Sequence, residues 1–224
     1  MNEKSQINTS LLGWFNAMLL ALGIFALALY IALLQTWVYP QFASDRINER
    51  GLSDYTIEEN YKTLIRYNLD PRDKILEFQG LEMSEGGRIH FEEVKQIFKA
   101  IFISGFISLG ASVLLGSYLT RIKKNSRYML RAVRLSIGIV IAGGIAAAFF
   151  FDEAFVLFHK LLFSNDYWIF DRSVDPIIDY LPESFFRRIA IFIGAVWLML
   201  LCTLRFTLYP YHRIREQELR GKIE

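Results

Sequence analysis

Histidine is the side chain that can take or give a proton near neutral pH without a large perturbation. The chain has three, and two of them sit where an apolar run meets a polar segment. His159 lies near the start of the outer part of Phe149–Phe186, FFFDEAFVLFHKLLFSNDYWIFDRSVDPIIDYLPESFF, where an apolar run gives way to an aromatic, Asp-rich stretch. His90 precedes another long apolar run. An imidazole leaving the lipid is either an interfacial residue with an apolar body and a polar tip, or a functional group. Two imidazoles brought together would support acid–base chemistry at a membrane surface.

The elements that must position them are helices in a bilayer. The chain has 224 residues, 53% of them hydrophobic and 15% aromatic, with a formal net charge of +2. That composition marks a membrane protein and gives no reason to expect a nucleic-acid partner. We expect an all-α membrane protein, a single membrane domain over 1–224, with four transmembrane helices near 11–39, 98–119, 135–158 and 188–208. The first run is too long for the apolar core of a secretory signal. Trp37 and Tyr39 read as interfacial anchors at its end, and Pro40 as its stop. In the second span Ser104, Ser108, Ser112 and Gly116 recur every four residues, a stripe for close helix packing in lipid rather than a set of nucleophiles. Gly143-Gly144 and Ala146–Ala148 form the corresponding small face of the third. The one cysteine, Cys202, lies in an apolar run and reads as a buried, inert thiol.

Charge gives the orientation. The loop 120–134 carries Arg121, Lys123, Lys124, Arg127, Arg131 and Arg134 without an acid, and the tail carries Arg213, Arg215, Arg220 and Lys222. Short basic loops stay in the cytoplasm. Segments 40–97 and 159–187 are richer in acids and face outward, where they form an extracytoplasmic cap. Both termini are then cytoplasmic, His90 and His159 share the outer surface, and His212 is an ordinary tail residue.

Within the cap, Thr56-x-x-Glu59 reads as a capping box and Tyr61, Leu64 and Ile65 as the stripe of the helix it starts. Asp70-Pro71 ends that helix. Ile75, Leu76 and Phe78 make a short strand or a packed loop. Gly86-Gly87 reads as a break, with a new helix from Ile89 or His90. His90 then shares a face with Val94, Ile97, Ile101 and Ser108 and points into the bundle. If one helix continues through His159, Phe155, Asp152 and Ala148 share its face, with Asp152 about 10 Å deeper. Asp152 then lines a wet cavity, pairs with a cation or polar group of another span, or already lies among the headgroups. Asp175-Pro176 reads as an N-cap and first turn, after which Ile177, Ile178 and Leu181 pack one short face.

Two segments resemble a known family. One is Ile89-His90-Phe91-Glu92-Glu93-Val94-Lys95, similar to a histidine–apolar–x–acid–Val motif, with Phe91 at a usual Met and Glu93 at an Asp. The other is Phe158-His159, Phe163-Ser164-Asn165, Trp168, Asp171, Asp175, Leu181-Pro182-Glu183 and Phe185-Phe186. With four spans over the full length, the chain resembles the lipoprotein intramolecular transacylases of Gram-positive bacteria. The resemblance implies a cell-membrane enzyme without a cofactor. Its partners would be diacylglyceryl-modified membrane lipoproteins and membrane lipid. It would move the sn-2 acyl chain of the diacylglyceryl-cysteine to the cysteine α-amine, giving the N-acyl, S-monoacylglyceryl (lyso) form. The family's two essential histidines map onto His90 and His159, one serving as base and the other supporting the leaving oxygen, in an order left open. An acyl-imidazole intermediate is a variant. Ser164, Asn165 and the Trp168 indole are candidate donors to the tetrahedral oxyanion. Glu93, Asp152, Asp171 and Asp175 are candidates for supporting or substrate-binding roles.

Two other classes compete. A non-catalytic transporter or channel subunit would carry polar residues at mid-bilayer, whereas the polar groups here gather at one surface. A metal site built on His90, His159 and an acid has a thin ligand set and no HExxH motif, so no metal is expected.

Overall fold

The computed structural model describes residues 3–121 and 127–220, and these contain helices and no strand. Lys123, Lys124 and Lys222 lie outside the described residues, as do the side chains of Arg127, Arg131, His212, Arg213, Arg215 and Arg220. In chain order the α-helices are α1 (Glu3–Leu34), α2 (Tyr39–Phe42), α3 (Asp54–Leu69), α4 (Glu85–Arg121), α5 (Arg127–Phe149), α6 (Phe151–Leu162), α7 (Ile177–Tyr180) and α8 (Glu183–Arg220). Among the described residues three helical stretches are long and apolar enough to cross a membrane: Leu11–Leu34, Glu85–Arg121 and Glu183–Thr207. Val133–Ala146 and Phe151–Leu162 make a fourth candidate only if taken together as a broken span. The expected continuous helix through 135–158 is interrupted at Phe150, whose φ of −133° and ψ of 34° leave the helical range. The chain divides into two compact units, residues 1–29, 102–143 and 194–224, and residues 30–101 and 144–193.

The first unit is held by side chains that are small or absent. Ala17, Leu20, Ile24, Val133, Val140 and Leu201 form its buried apolar cluster. A Cβ on Gly23 would stand 2.7 Å from the Leu109 Cβ, and one on Gly105 would overlap the Ala26 methyl. The α1 and α4 backbones can approach this closely because both positions are glycine. Ser108 and Ser112 are buried in this face, and the Ser112 hydroxyl donates to the Asn16 carbonyl at 3.4 Å. The expected stripe is thus displaced: Ser104 is exposed, and Gly105 takes its place beside Ser108, Ser112 and Gly116. The small residues of α5 also behave differently from expectation. Gly143, Ala146 and Ala148 are exposed, and Val133, Ser136 and Val140 carry the burial instead. Cys202 is a free, half-buried thiol.

The second unit is held by aromatic rings and polar bonds. Helix α1 ends at Leu34, before the predicted stop, and Pro40 instead opens α2, where its missing N–H costs nothing. Trp37 is exposed, as an interfacial residue should be, but Tyr39 is core. Its ring stacks on Tyr61 at 4.4 Å, Phe185 meets both edge-on, and its hydroxyl donates to the Tyr180 carbonyl at 2.7 Å. Burial pushes the Tyr39 and Tyr61 phenols well above their usual range, so both remain neutral donors. Ser53, one position before α3, caps it by accepting from the Thr56 N–H at 3.1 Å, so the cap falls earlier than the predicted box at Thr56. Asp70 ends α3 as expected. Residues 75–78 are an irregular segment with Leu76 and Phe78 buried. Asn60 exchanges two hydrogen bonds with the Gln79 backbone, at 3.0 and 2.7 Å. Lys95 of α4 lies over the Tyr67 ring and donates to the Asp70 and Asp73 carbonyls. The 70–84 segment is therefore fastened to both α3 and α4.

Candidate active site

Helix α4 begins at Glu85 and runs straight through the glycine pair that sequence reasoning took for a break. Ser84 caps it: its hydroxyl oxygen accepts from the Gly87 N–H at 2.9 Å. Asp175 then seizes that cap. One carboxylate oxygen accepts from the Ser84 N–H at 2.7 Å and the other from the Ser84 hydroxyl at 2.6 Å. A Cβ on Gly87 would collide with the same carboxylate. The glycine is there to admit Asp175, not to end a helix. Asp175 was expected to cap α7, but α7 has no side-chain cap, and the negative charge instead meets the positive end of α4. His90 follows one turn after Gly87 and is buried.

His159 lies in the last turn of α6, and it too is buried. The imidazole centroids are 6.0 Å apart, with a 33° angle between the rings. Phe163 touches both, at 4.8 Å from His90 and 5.6 Å from His159. Trp168 stacks on His159 at 4.7 Å, Phe155 lies 4.2 Å from it, and Phe170 meets His90 edge-on at 5.5 Å. The two rings thus share an aromatic box built from α4, α6 and the 163–176 segment. His159 Nδ1 stands 2.7 Å from the Phe155 carbonyl oxygen. A carbonyl can only accept, so Nδ1 is the N–H and Nε2 of the neutral ring keeps its lone pair. His90 Nδ1 is buried without a hydrogen-bond partner, and so is the Trp168 indole nitrogen. Both atoms are free to bond a polar group that enters beside the imidazole pair.

Asn165 bridges the loop to α4. Its amide donates to Glu93 Oε1 at 2.8 Å, and its carbonyl accepts from the Tyr167 N–H at 3.1 Å. A cleft of about 520 Å³ opens beside Phe163, lined by Glu93, Ile97, Lys160 and Ser164 among others. Ser164 is exposed on that cleft. Asp171 is exposed and receives the Ser173 N–H and hydroxyl, which hold its carboxyl below the usual range and fix a turn. Asp152 does not reach the imidazoles. It is exposed and pairs with Arg187 at 3.3 Å, the cation-pairing alternative among those the sequence left open. Among the described residues no three His, Cys, Asp or Glu side chains gather as a metal-ligand group. Sequence reasoning passed over Ser84 and Phe170, read Gly87 as a break, and placed Phe155 on the His159 face without a role. The serine three residues before Gly87 was a readable N-cap signal; the loop-to-ring contact of Phe170 left none.

Long apolar helices together with two imidazoles in one aromatic box define an integral membrane protein with a candidate site at that pair. The family model for lipoprotein intramolecular transacylase Lit matches residues 14–186, and the chain belongs to that family. Among solved structures it is similar to the membrane-integral lipoprotein intramolecular transacylase Lit of Bacillus cereus, at 35% identity and a TM-score of 0.82, over 95% of this chain and 99% of that one. A second Bacillus cereus structure, in which one histidine is replaced by arginine, is similar at 33% identity and a TM-score of 0.77, over 97% of this chain and 96% of that one. A comparison with curated protein sequences gives no match.

Proposed function

We propose that this chain transfers the sn-2 O-acyl chain of a diacylglyceryl-cysteine lipoprotein to the α-amine of the same cysteine, with His90 and His159 as its acid–base pair. The observation that carries the reading is the pair of buried imidazoles 6.0 Å apart inside one aromatic box. Membership of a transacylase family supports the reaction class.

The chemistry is ester aminolysis within one molecule. The substrate ammonium loses a proton, its nitrogen attacks the ester carbonyl and loses a second proton, and the tetrahedral centre then expels the glycerol oxygen. That oxygen takes up a proton as it leaves. The products are an amide and a free glycerol hydroxyl, with one proton released overall. An amide is more stable than an ester, so no energy source is required. Because amine and ester belong to one substrate, holding it folded supplies much of the rate. His159 Nε2, with its lone pair set by the Phe155 bond, suits the base. His90, with a ring nitrogen unpartnered, suits the proton donor to the leaving oxygen. The Trp168 N–H is the best-placed donor for the oxyanion, since it is buried, unpartnered and stacked on His159.

In this reading the broken α5–α6 stretch serves as the fourth span of one membrane domain. Segments 40–97 and 159–187 form an extracytoplasmic cap, and both termini are cytoplasmic. The basic Arg121 and Arg134 on either side of the α4–α5 connection support that orientation. Mass spectrometry of lipoprotein N-terminal peptides from cells with and without the chain tests the function. Lyso-form peptides should appear only with the wild-type chain and vanish with His90→Ala or His159→Ala. Unchanged peptides in the presence of folded wild-type protein would sink the reading.

A further inference from the structure

One group beside the imidazole pair has no part in the proton transfers just described. Glu93 lies three residues after His90 on α4, a spacing that puts both on one helix face. Its two carboxylate oxygens are in different states. Oε1 is engaged by the Asn165 amide at 2.8 Å, which fixes the side chain. Oε2 is buried and has no hydrogen-bond partner. The residue nonetheless lines the open cleft beside Phe163. A desolvated carboxylate oxygen is costly unless a strong donor meets it, and a charged N–H donor compensates best. Lys160 lines the same cleft, but it is exposed and makes no bond to Oε2. A divalent cation would need more ligands than one carboxylate, and no three-residue ligand group exists among the described residues.

We propose that the Glu93 carboxylate docks the α-ammonium of the substrate's N-terminal cysteine, so that the site selects lipoproteins whose terminal amine is free and cationic. This rests on the transacylase reading and deepens it. Asn165 is then a positioning residue: it holds one oxygen and aims the other. The ammonium arrives bound one helical turn from His90, close to the imidazole pair that removes its proton. An N-acylated terminus carries no charge and brings a bulkier group to Oε2, so the enzyme's product is also released from this contact.

The test is equilibrium binding of a synthetic diacylglyceryl-cysteinyl peptide with a free amine, against its N-acetylated twin, to the full chain in lipid nanodiscs at neutral pH. Wild type should prefer the free amine by about tenfold or more, the range of a charge-assisted contact in a desolvated site. Glu93→Gln keeps an oxygen for the Asn165 amide and loses the charge, so its preference should fall to about twofold or less. If Glu93→Gln does not fold, Glu93→Asp serves, with a shorter carboxylate and a preference reduced about threefold or more. A preference that survives either substitution, or is missing from wild type, overturns the proposal. Conversion of the free-amine peptide, followed by mass spectrometry in the same samples, separates the two readings. Amine preference without conversion overturns the transacylase reading alone, and conversion without amine preference overturns the ammonium site alone.

Discussion

The two ends of α4 solve the same problem, fixing a helix against its neighbours, by opposite means. Toward the C-terminal end, Gly105 and the buried Ser108 and Ser112 hold it by having almost no side chain to keep α1 away. Toward the N-terminal end, Ser84, Asp175 and Lys95 hold it by directed bonds. The contrast follows from the surroundings. Where lipid is the solvent, apolar burial offers no drive for association and only close contact stabilises a helix pair. Where the backbone meets water and a helix end needs partners, polar side chains do the fixing. His90 belongs to the polar end, so its ring position depends on bonds that single substitutions can remove.

The largest effect should come from the rings themselves. His159→Ala or His90→Ala should lower the rate of lyso-peptide formation by about a hundredfold or more with unfolding temperature little changed, as expected for loss of a general acid or base. Wild-type activity in either variant would end the acid–base assignment. The polar end comes next. Asp175→Ala removes the acceptor of both Ser84 bonds and should cost about 1.5–3 kcal/mol, read from thermal unfolding in detergent. It should slow turnover more than it weakens substrate binding, because it displaces His90 rather than a substrate contact. The lipid-side end follows: Gly105→Ala forces a methyl into Ala26 and should cost about 1–3 kcal/mol in the same assay, with the pH dependence of turnover unchanged. Comparable shifts in pH profile for Asp175→Ala and Gly105→Ala would erase the distinction between the two ends. Smallest is Asp152→Asn, which alters only exposed contacts with Arg187 and Glu183 and should change stability by less than about 1 kcal/mol.

Much of this was legible from residue order alone, for identifiable reasons. Long apolar runs announce helices because no other open-chain structure satisfies its backbone in lipid, and three of the four expected spans are single helices. The histidines were visible because a polar group at the edge of such a run is conspicuous. What could not be read was which partner a small residue serves. Gly86-Gly87 has the pattern of a break, and only the carboxylate of a residue far along the chain explains the glycine at 87. Tyr39 has the position of an interfacial anchor, yet Tyr61 and Phe185 claim its ring for the core. Phe150 breaks the helix within three consecutive phenylalanines, Phe149–Phe151, where residue type gives no sign of it. For Gly87 and Tyr39 a distant contact overrules a local preference, and such contacts leave no mark on spacing.

The fit of Asp175 against Gly87 sets a rule for how this site can vary. Neither position tolerates change alone: a methyl at 87 strikes the carboxylate, and a shortened 175 leaves the head of α4 without its acceptor. A shorter hydroxyl side chain at 175 makes room for that methyl, so Gly87→Ala combined with Asp175→Ser should be milder than the sum of its parts. The route between working versions of this enzyme therefore runs through paired substitutions, and either one taken first is a step down.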